Sequence, residues 1–203
     1  MEKQVKPNKT LTMVQLSFLI ALEIILTISP LGYIQLGFMT ITLMHIPVLV
    51  GATVMGPFAG GLLGLVFGIS SMIKSTYFGT PDAVIFSPFL TKSFKSVVLA
   101  VVPRVLFGIA AGFLFKILVK KGISYSVSTA ISVGIGTLLH TIMVLGLIQL
   151  LFAKQYAELI GVEVNALFKI FLSILSINGL VEALVAVLVC FKLVPVLIKS
   201  KKG

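Results

Sequence analysis

Residues 40 to 57 read Thr-Ile-Thr-Leu-Met-His-Ile-Pro-Val-Leu-Val-Gly-Ala-Thr-Val-Met-Gly-Pro, and Gly60, Gly64 and Gly68 follow shortly after. The Gly-Pro step at positions 56 and 57 predicts a break between two apolar helices. Glycines four residues apart lie on one face of a helix, where they let the backbone of another helix approach closely. The stretch therefore predicts membrane-embedded helices packed into a compact bundle with a pocket at one end.

The composition of the whole chain indicates a membrane protein. Of its 203 residues, 58% are hydrophobic and 11% are charged, and the mean hydropathy is +1.18. A soluble domain carries roughly 25% charged residues. The length allows about six spans of ~20 residues each, with little left for a soluble domain. We therefore predict an all-α membrane protein in which residues 1–203 form a single bundle of six transmembrane helices.

Turn residues and polar clusters separate the expected spans. The spans cover about residues 11–29, 42–55, 58–73, 97–119, 126–152 and 170–194. The second span is short, so we expect it to lean on its neighbours or to be partly re-entrant. A polar and aromatic loop at residues 74–96 separates the third and fourth spans, and an amphipathic connector separates the fifth and sixth.

The distribution of positive charge predicts the orientation. Of the 16 Lys and Arg residues, ten fall on the side of the N-terminus in this arrangement and six on the other side. Because cytoplasmic loops carry the excess of positive charge, both termini are expected in the cytoplasm. The net charge of +10 is typical of such topology signals, so we expect no nucleic-acid partner.

The inventory of reactive side chains argues against an enzyme. The chain has six acidic residues, and only Glu23 and Glu182 fall inside spans. Neither a His-Glu-x-x-His motif nor a phosphate-binding Walker loop occurs, and Cys190 is the single cysteine. We therefore expect no catalytic residue, no metal site, no cofactor and no ATP hydrolysis by this chain itself.

A few polar residues at the span ends are the candidates for a site. Arg104 follows Pro103, His140 lies in the fifth span, and Asn178 and Glu182 share one helical face because they are four residues apart. Ionisable groups at membrane depth face a cavity or a partner. Two interpretations stay open: contacts to a ligand, or an Arg104–Glu182 ion pair that joins two helices.

Short motifs follow one another in a defined order along the chain. They are Pro30-Leu31-Gly32-Tyr33, Met44-His45-Ile46-Pro47, Gly56-Pro57 with Gly60, Gly64 to Gly68, Phe86-Ser87-Pro88-Phe89, Pro103-Arg104, and Asn178-Gly179-Leu180 with Glu182. Each motif is weak alone, but their order and spacing over nearly the whole chain resemble the substrate-binding S-components of energy-coupling factor (ECF) vitamin transporters.

The resemblance implies a transport mechanism in the bacterial plasma membrane. An S-component captures a vitamin from outside, docks on a transmembrane coupling subunit driven by two cytoplasmic ATPases, and topples to release the vitamin inward. The family docks through two small residues four apart on helix 1. Ser17 and Ala21 match that spacing, with Ser in place of the usual Ala. Ordinary packing within the chain is the alternative for this pair.

The vitamin is predicted from finer features of the resemblance. Residues 42–45 lack the acidic residues of the riboflavin subgroup, whereas the Pro-Leu-Gly start and the Phe-Ser-Pro-Phe loop look most like the pantothenate subgroup. Pantothenate is a carboxylate, and the outer side offers cationic partners for it. Hydroxymethylpyrimidine, pyridoxine, folate and cobalamin stay open, and riboflavin is disfavoured.

The predicted pocket lies in the outer half of the bundle, between the fourth, fifth and sixth helices and under the 74–96 loop. Its expected polar contacts are Arg104, Asn178, Glu182, His140 and Lys92, with His45 near the rim and Phe86 and Tyr77 closing a lid. The loop aromatics have a second interpretation as headgroup anchors. From other classes, a structural membrane protein and a standalone secondary transporter stay open.

Overall fold

The computed structural model describes residues 9–36, 39–79 and 81–200, which are mainly helical. The α-helices within these ranges are α1 (Lys9–Ile28), α2 (His45–Val54), α3 (Pro57–Tyr77), α4 (Pro88–Thr91), α5 (Lys95–Lys120), α6 (Tyr125–Ile160), α7 (Leu167–Ile174) and α8 (Leu180–Ser200). Short 3₁₀ turns occupy Pro30–Gly32, Pro81–Phe86 and Val164–Ala166, and a π-helical turn, Leu175–Gly179, joins α7 to α8.

Two short strands, which the all-α prediction did not include, lie between α1 and α2. Strands β1 (Tyr33–Leu36) and β2 (Met39–Thr42) pair antiparallel, with Tyr33 opposite Thr42. Aromatic and β-branched residues favour strands, and both segments are rich in them. The pairing matters for the site because it holds Thr42 beside α8.

The class of a helical membrane protein is confirmed. In the described part of the chain, five helical runs are long and apolar enough to cross a bilayer: α1, α3, α5, α6 and the continuous run Val164–Ser200. The predicted second span, residues 42–55, is shorter in the structure, where α2 has ten residues. A helix of this length extends about 15 Å, which is half of the ~30 Å thickness of the hydrocarbon core. A count of six crossings and the cytoplasmic termini therefore stay predictions, and the terminal residues Lys3, Lys6, Lys201 and Lys202 lie outside the described residues.

Several predicted helix boundaries are corrected. Helix α6 continues eight residues past the expected end and has 36 residues, because the polar residues Lys154 and Glu158 are themselves good helix formers. The helix ends at Gly161, whose φ of 70° is the left-handed conformation that glycine adopts easily. The predicted 74–96 loop also contains the last turn of α3, a 3₁₀ turn and α4.

The predicted role of the glycine stripe in close helix packing is confirmed, and the partner helix is α5. A Cβ added at Gly60 would overlap the carbonyl oxygen of Gly108, and one added at Gly64 would overlap that of Arg104. At Gly68 the nearest atom would be the carbonyl oxygen of Ala100, 2.9 Å away. Backbone therefore meets backbone along the whole stripe, which fixes the position of Arg104 relative to α3.

We expect Gly64→Ala to lower the stability of the folded protein by about 1–3 kcal/mol, because the added methyl must push two backbones apart. The matched control is Gly146→Ala, since a Cβ at Gly146 has no atom within 4 Å. This control should be neutral or slightly stabilising, because alanine favours a helix over glycine. Thermal unfolding of both variants in detergent checks the difference, and equal melting temperatures would contradict it.

The buried apolar side chains of the bundle form two clusters. The larger one includes Val48, Phe67 and Phe107 and joins α1, α2, α3, α5, α6 and α8. The smaller one joins the 81–86 turn, the start of α5, the end of α6 and α7, and includes Ile85 and Phe152. Residues packed against the smaller cluster also line a cavity, so the cavity has an apolar wall at this end of the molecule.

Candidate functional site

A cavity of about 450 Å³ lies where α3, α5, α6 and the junction of α7 and α8 meet. This volume falls within the range of small-molecule sites, roughly 300–1,000 Å³. Its polar lining consists of Thr42, Ser71, Lys74, Ser75, Arg104, His140, Thr141, Asn178 and Glu182, and its other walls of Phe78, Gly79, Ala83, Phe86, Val144, Leu145 and Ile174. An apolar cavity with a few convergent polar groups is typical of a site for one small organic ligand.

Arg104 is held in the cavity wall by a consequence of the preceding proline. Pro103 lacks the N–H that would donate to the carbonyl of Leu99 in a regular helix, and Arg104 Nη1 donates to that carbonyl oxygen at 2.8 Å instead. The guanidinium lies 5.0 Å from the ring centre of Phe86 and 5.5 Å from that of Phe67. Cation–π contacts of this kind orient the group as well as stabilise it.

Glu182 contributes a negatively charged side chain to the cavity lining. Its Oε1 accepts a 2.7 Å hydrogen bond from the backbone N–H of Thr42, which ties β2 to α8. Arg104 is close enough to Glu182 for the two charges to interact. Both side chains line the cavity, so the ion pair between helices and the contact to a ligand both stay predictions for this pair.

The π-helical turn aligns the side chains of the last helix. Ile174, Asn178 and Glu182 are four residues apart and all line the cavity. In a regular α-helix with 3.6 residues per turn, positions eight apart would rotate away from one another. The wider turn at 175–179 offsets this rotation, and such turns are frequent at functional sites.

His140 supplies a polar atom that the described residues leave without a hydrogen bond. Its ring packs against Phe107 at 4.9 Å and Phe67 at 5.9 Å between ring centres. Its Nε2 atom is buried and has no hydrogen-bond partner in the described part of the chain. Because unsatisfied buried polar atoms are costly, this nitrogen is well suited to a ligand.

Five of the eight side chains predicted for the site line the cavity together: Phe86, Arg104, His140, Asn178 and Glu182. Lys92 is exposed at the left-handed end of α4, and Tyr77 is 74% exposed, so neither contributes to the cavity walls. Phe78, the next residue after Tyr77, lines the cavity instead. His45 is buried and does not line the cavity.

Sequence reasoning missed one wall of the cavity. Ser71, Lys74 and Ser75 lie on one face of α3, and Phe78, the residue that caps its C-terminal end, continues this face at position i+7. The sequence does contain a signal for this wall, because a lysine and two serines share one face at the end of an apolar helix. The predicted loop begins at Lys74, whereas α3 continues to Tyr77 and its last turn places Lys74 in the cavity wall.

The predicted docking pair lies on the outer surface of the bundle. Ser17 and Ala21 are both exposed on α1, and their neighbours Val14 and Phe18 are 61% and 67% exposed. The inner face of the same helix buries Leu19 and Glu23. The alternative that the pair serves packing within the chain is therefore not supported by its exposure.

The fold and the cavity together define a multi-pass helical membrane protein with an internal cavity of the size that small-molecule sites have. Comparison with known proteins gives the family. The family model for the ECF transporter substrate-specific component matches residues 11–194. The pantothenic acid transporter PanT of Lactococcus lactis subsp. cremoris (strain MG1363) is 30% identical over 168 residues, which is 80% of this chain and 80% of that protein. The chain belongs to the ECF transporter substrate-specific component family, a family of transport subunits, and the resemblance predicted from the motifs is confirmed.

Proposed function

We propose that this chain is the pantothenate-binding S-component of an ECF importer in a bacterial plasma membrane. The observation that carries the proposal is the convergence of Arg104, His140, Asn178 and Glu182 on one cavity of about 450 Å³. The 30% identity to a pantothenic acid transporter supports the choice of vitamin. Other vitamins are alternative outcomes of the same binding experiment.

The chemistry of the cavity suits pantothenate. This vitamin has a carboxylate at one end, hydroxyl groups at the other, and an amide between them. Cationic side chains pair with carboxylates, and side-chain hydroxyl, amide and imidazole groups serve as hydrogen-bond partners for the remaining polar atoms. The apolar wall of Val144, Leu145 and Ile174 suits the aliphatic parts of the molecule.

Transport requires partners, because capture by a single cavity does not by itself move a ligand. We propose that a transmembrane coupling subunit and two cytoplasmic ATPases supply the energy. The exposed face of α1 that carries Ser17 and Ala21 is the proposed contact to the coupling subunit, since small side chains allow two membrane helices to approach closely. A standalone secondary transporter is the competing function.

We expect the purified chain to bind pantothenate tightly, with a stoichiometry of one to one. Calorimetric titration in detergent with a panel of B vitamins tests this, and one vitamin should bind at least about a hundredfold more tightly than the others. Absence of binding below micromolar concentrations for every vitamin would overturn the proposed capture function. Uptake by liposomes that contain only this chain would favour the standalone transporter.

A further inference from the structure

The short stretch from α4 to the start of α5 carries several exposed side chains that take no part in the cavity. Phe89 is 75% exposed, Leu90 50% and Phe94 77%, and Lys92 and Lys95 are exposed beside them. None of these five residues, which we call the surface patch, lines the cavity. Residues 83–95 contain no acidic residue. The surface patch is therefore both apolar and positively charged.

The inner side of the same stretch is bonded to the bundle. The Ser87 hydroxyl is buried and lies 2.7 Å from the Thr76 hydroxyl of α3. The hydroxyls of Thr91 and Ser96 are also 2.7 Å apart, and the Ser96 side chain is buried at the start of α5. These hydrogen bonds hold the backbone of the stretch against the bundle, so the side chains of the surface patch project from a fixed position.

The surface patch lies where two spanning helices reach the edge of the bilayer. Helix α3 ends at Tyr77 and α5 begins at Lys95, and both are long and apolar enough to cross a membrane. With 21 residues, α3 extends about 32 Å, which is close to the ~30 Å thickness of the hydrocarbon core. A stretch that joins the ends of two such helices therefore lies at the boundary between hydrocarbon and headgroups.

Neither water nor the hydrocarbon core suits the surface patch. In water its three large apolar side chains would stay hydrated, which is unfavourable for clustered apolar surface. In the hydrocarbon core the two lysines would lose their hydration, and the non-helical backbone between α4 and α5 would face lipid, which membrane proteins avoid. The headgroup region suits both kinds of side chain, because rings enter the acyl boundary there while ammonium groups reach lipid phosphates.

We propose that the surface patch is a membrane-interface anchor, and that its partner is the phospholipid headgroup region on the cavity side of the bilayer. The three apolar side chains enter the boundary with the acyl chains, and the two lysines pair with phosphates. The adjoining part of the cavity wall, which includes Ala83 and Phe86, then lies just beneath the headgroups. This anchor does not depend on which vitamin the cavity binds.

The test uses tryptophan fluorescence, because the chain contains no tryptophan of its own. Phe89→Trp and Phe94→Trp each place a single indole in the surface patch. Leu106→Trp is the control for depth, since Leu106 is 46% exposed near the middle of α5. Each full-length variant is reconstituted into vesicles of phosphatidylcholine and phosphatidylglycerol, whose acyl chains are brominated either near the headgroup or near the chain end to quench the indole.

Both patch variants should be quenched at least about twofold more strongly by bromine near the headgroup than by bromine near the chain end, because interfacial rings lie at that level. Leu106→Trp should show the reverse order. Fluorescence that neither lipid quenches would place the surface patch in water, free for a protein partner, and would overturn the proposal. Patch variants with the quenching order of Leu106→Trp would place it in the hydrocarbon core and would also overturn the proposal.

A second measurement uses the unaltered protein, so it does not depend on how the variants fold. The protein is reconstituted with phospholipids that carry a photoreactive diazirine either in the headgroup or at the chain end, and peptide mass spectrometry locates the crosslinks. The headgroup probe should label residues 88–95, and the chain-end probe should label the middle of α5. Absence of headgroup labelling in residues 88–95, with labelling elsewhere in the protein, would contradict the anchor.

Discussion

Replacing Arg104 by alanine should weaken ligand binding about thirty- to several-thousand-fold, which corresponds to roughly 2–5 kcal/mol. The loss has two physical sources. The variant removes a fixed donor from the cavity wall, and it leaves Glu182 without its compensating charge beside an anionic ligand. Calorimetric titration of the purified variant with pantothenate measures the effect.

The control for Arg104→Ala is Leu106→Ala, since Leu106 is 46% exposed on the same helix and does not line the cavity. It should bind as the parent does. A folded Arg104→Ala protein with parental affinity would show that the guanidinium serves only to join helices. Arg104→Lys separates charge from geometry, because lysine cannot reproduce the planar contact between Phe67 and Phe86.

Replacing Ala21 by tryptophan should abolish vitamin uptake by the assembled transporter and leave ligand affinity within about twofold. Ala21 is exposed on α1 and is not part of the cavity lining. A large ring at this position would hold the helix of a coupling subunit away, because close packing of membrane helices requires small side chains. Uptake by cells that express the complete transporter, together with titration of the isolated chain, measures both parts.

Leu188→Trp is the matched control for the docking experiment. Leu188 is 72% exposed on α8, so the substitution adds a ring of the same kind to a different outer face. It should transport normally. Normal uptake by Ala21→Trp would mean that the coupling subunit contacts another surface, and loss of ligand binding in this variant would mean that α1 has a structural role near the cavity.

Much of the fold could be predicted because membrane insertion imposes simple local rules. Apolar length predicted the long helices, and the spacing of Gly60, Gly64 and Gly68 predicted a close helix contact without naming α5 as the partner. The length of α6 was underestimated, since its polar last turns look like a connector in sequence but are stabilised by packing of Phe152 and Ala157 against α7 and the 81–86 turn.

The sequence alone determined the class of the protein, its family and five residues of the cavity wall. The class follows from composition and the family from the order of short motifs. Four of the five wall residues follow from the rule that polar groups at membrane depth face a cavity, and Phe86 follows from the aromatic loop predicted to close it. Only the tertiary structure decided which cations share the cavity. Lys92 and Lys74 are equivalent as sequence signals, but Lys74 gains a place in the wall because α3 continues for one more turn and Thr27 of α1 holds its ammonium group. Such an assignment depends on contacts between residues far apart in the chain, which no local pattern encodes.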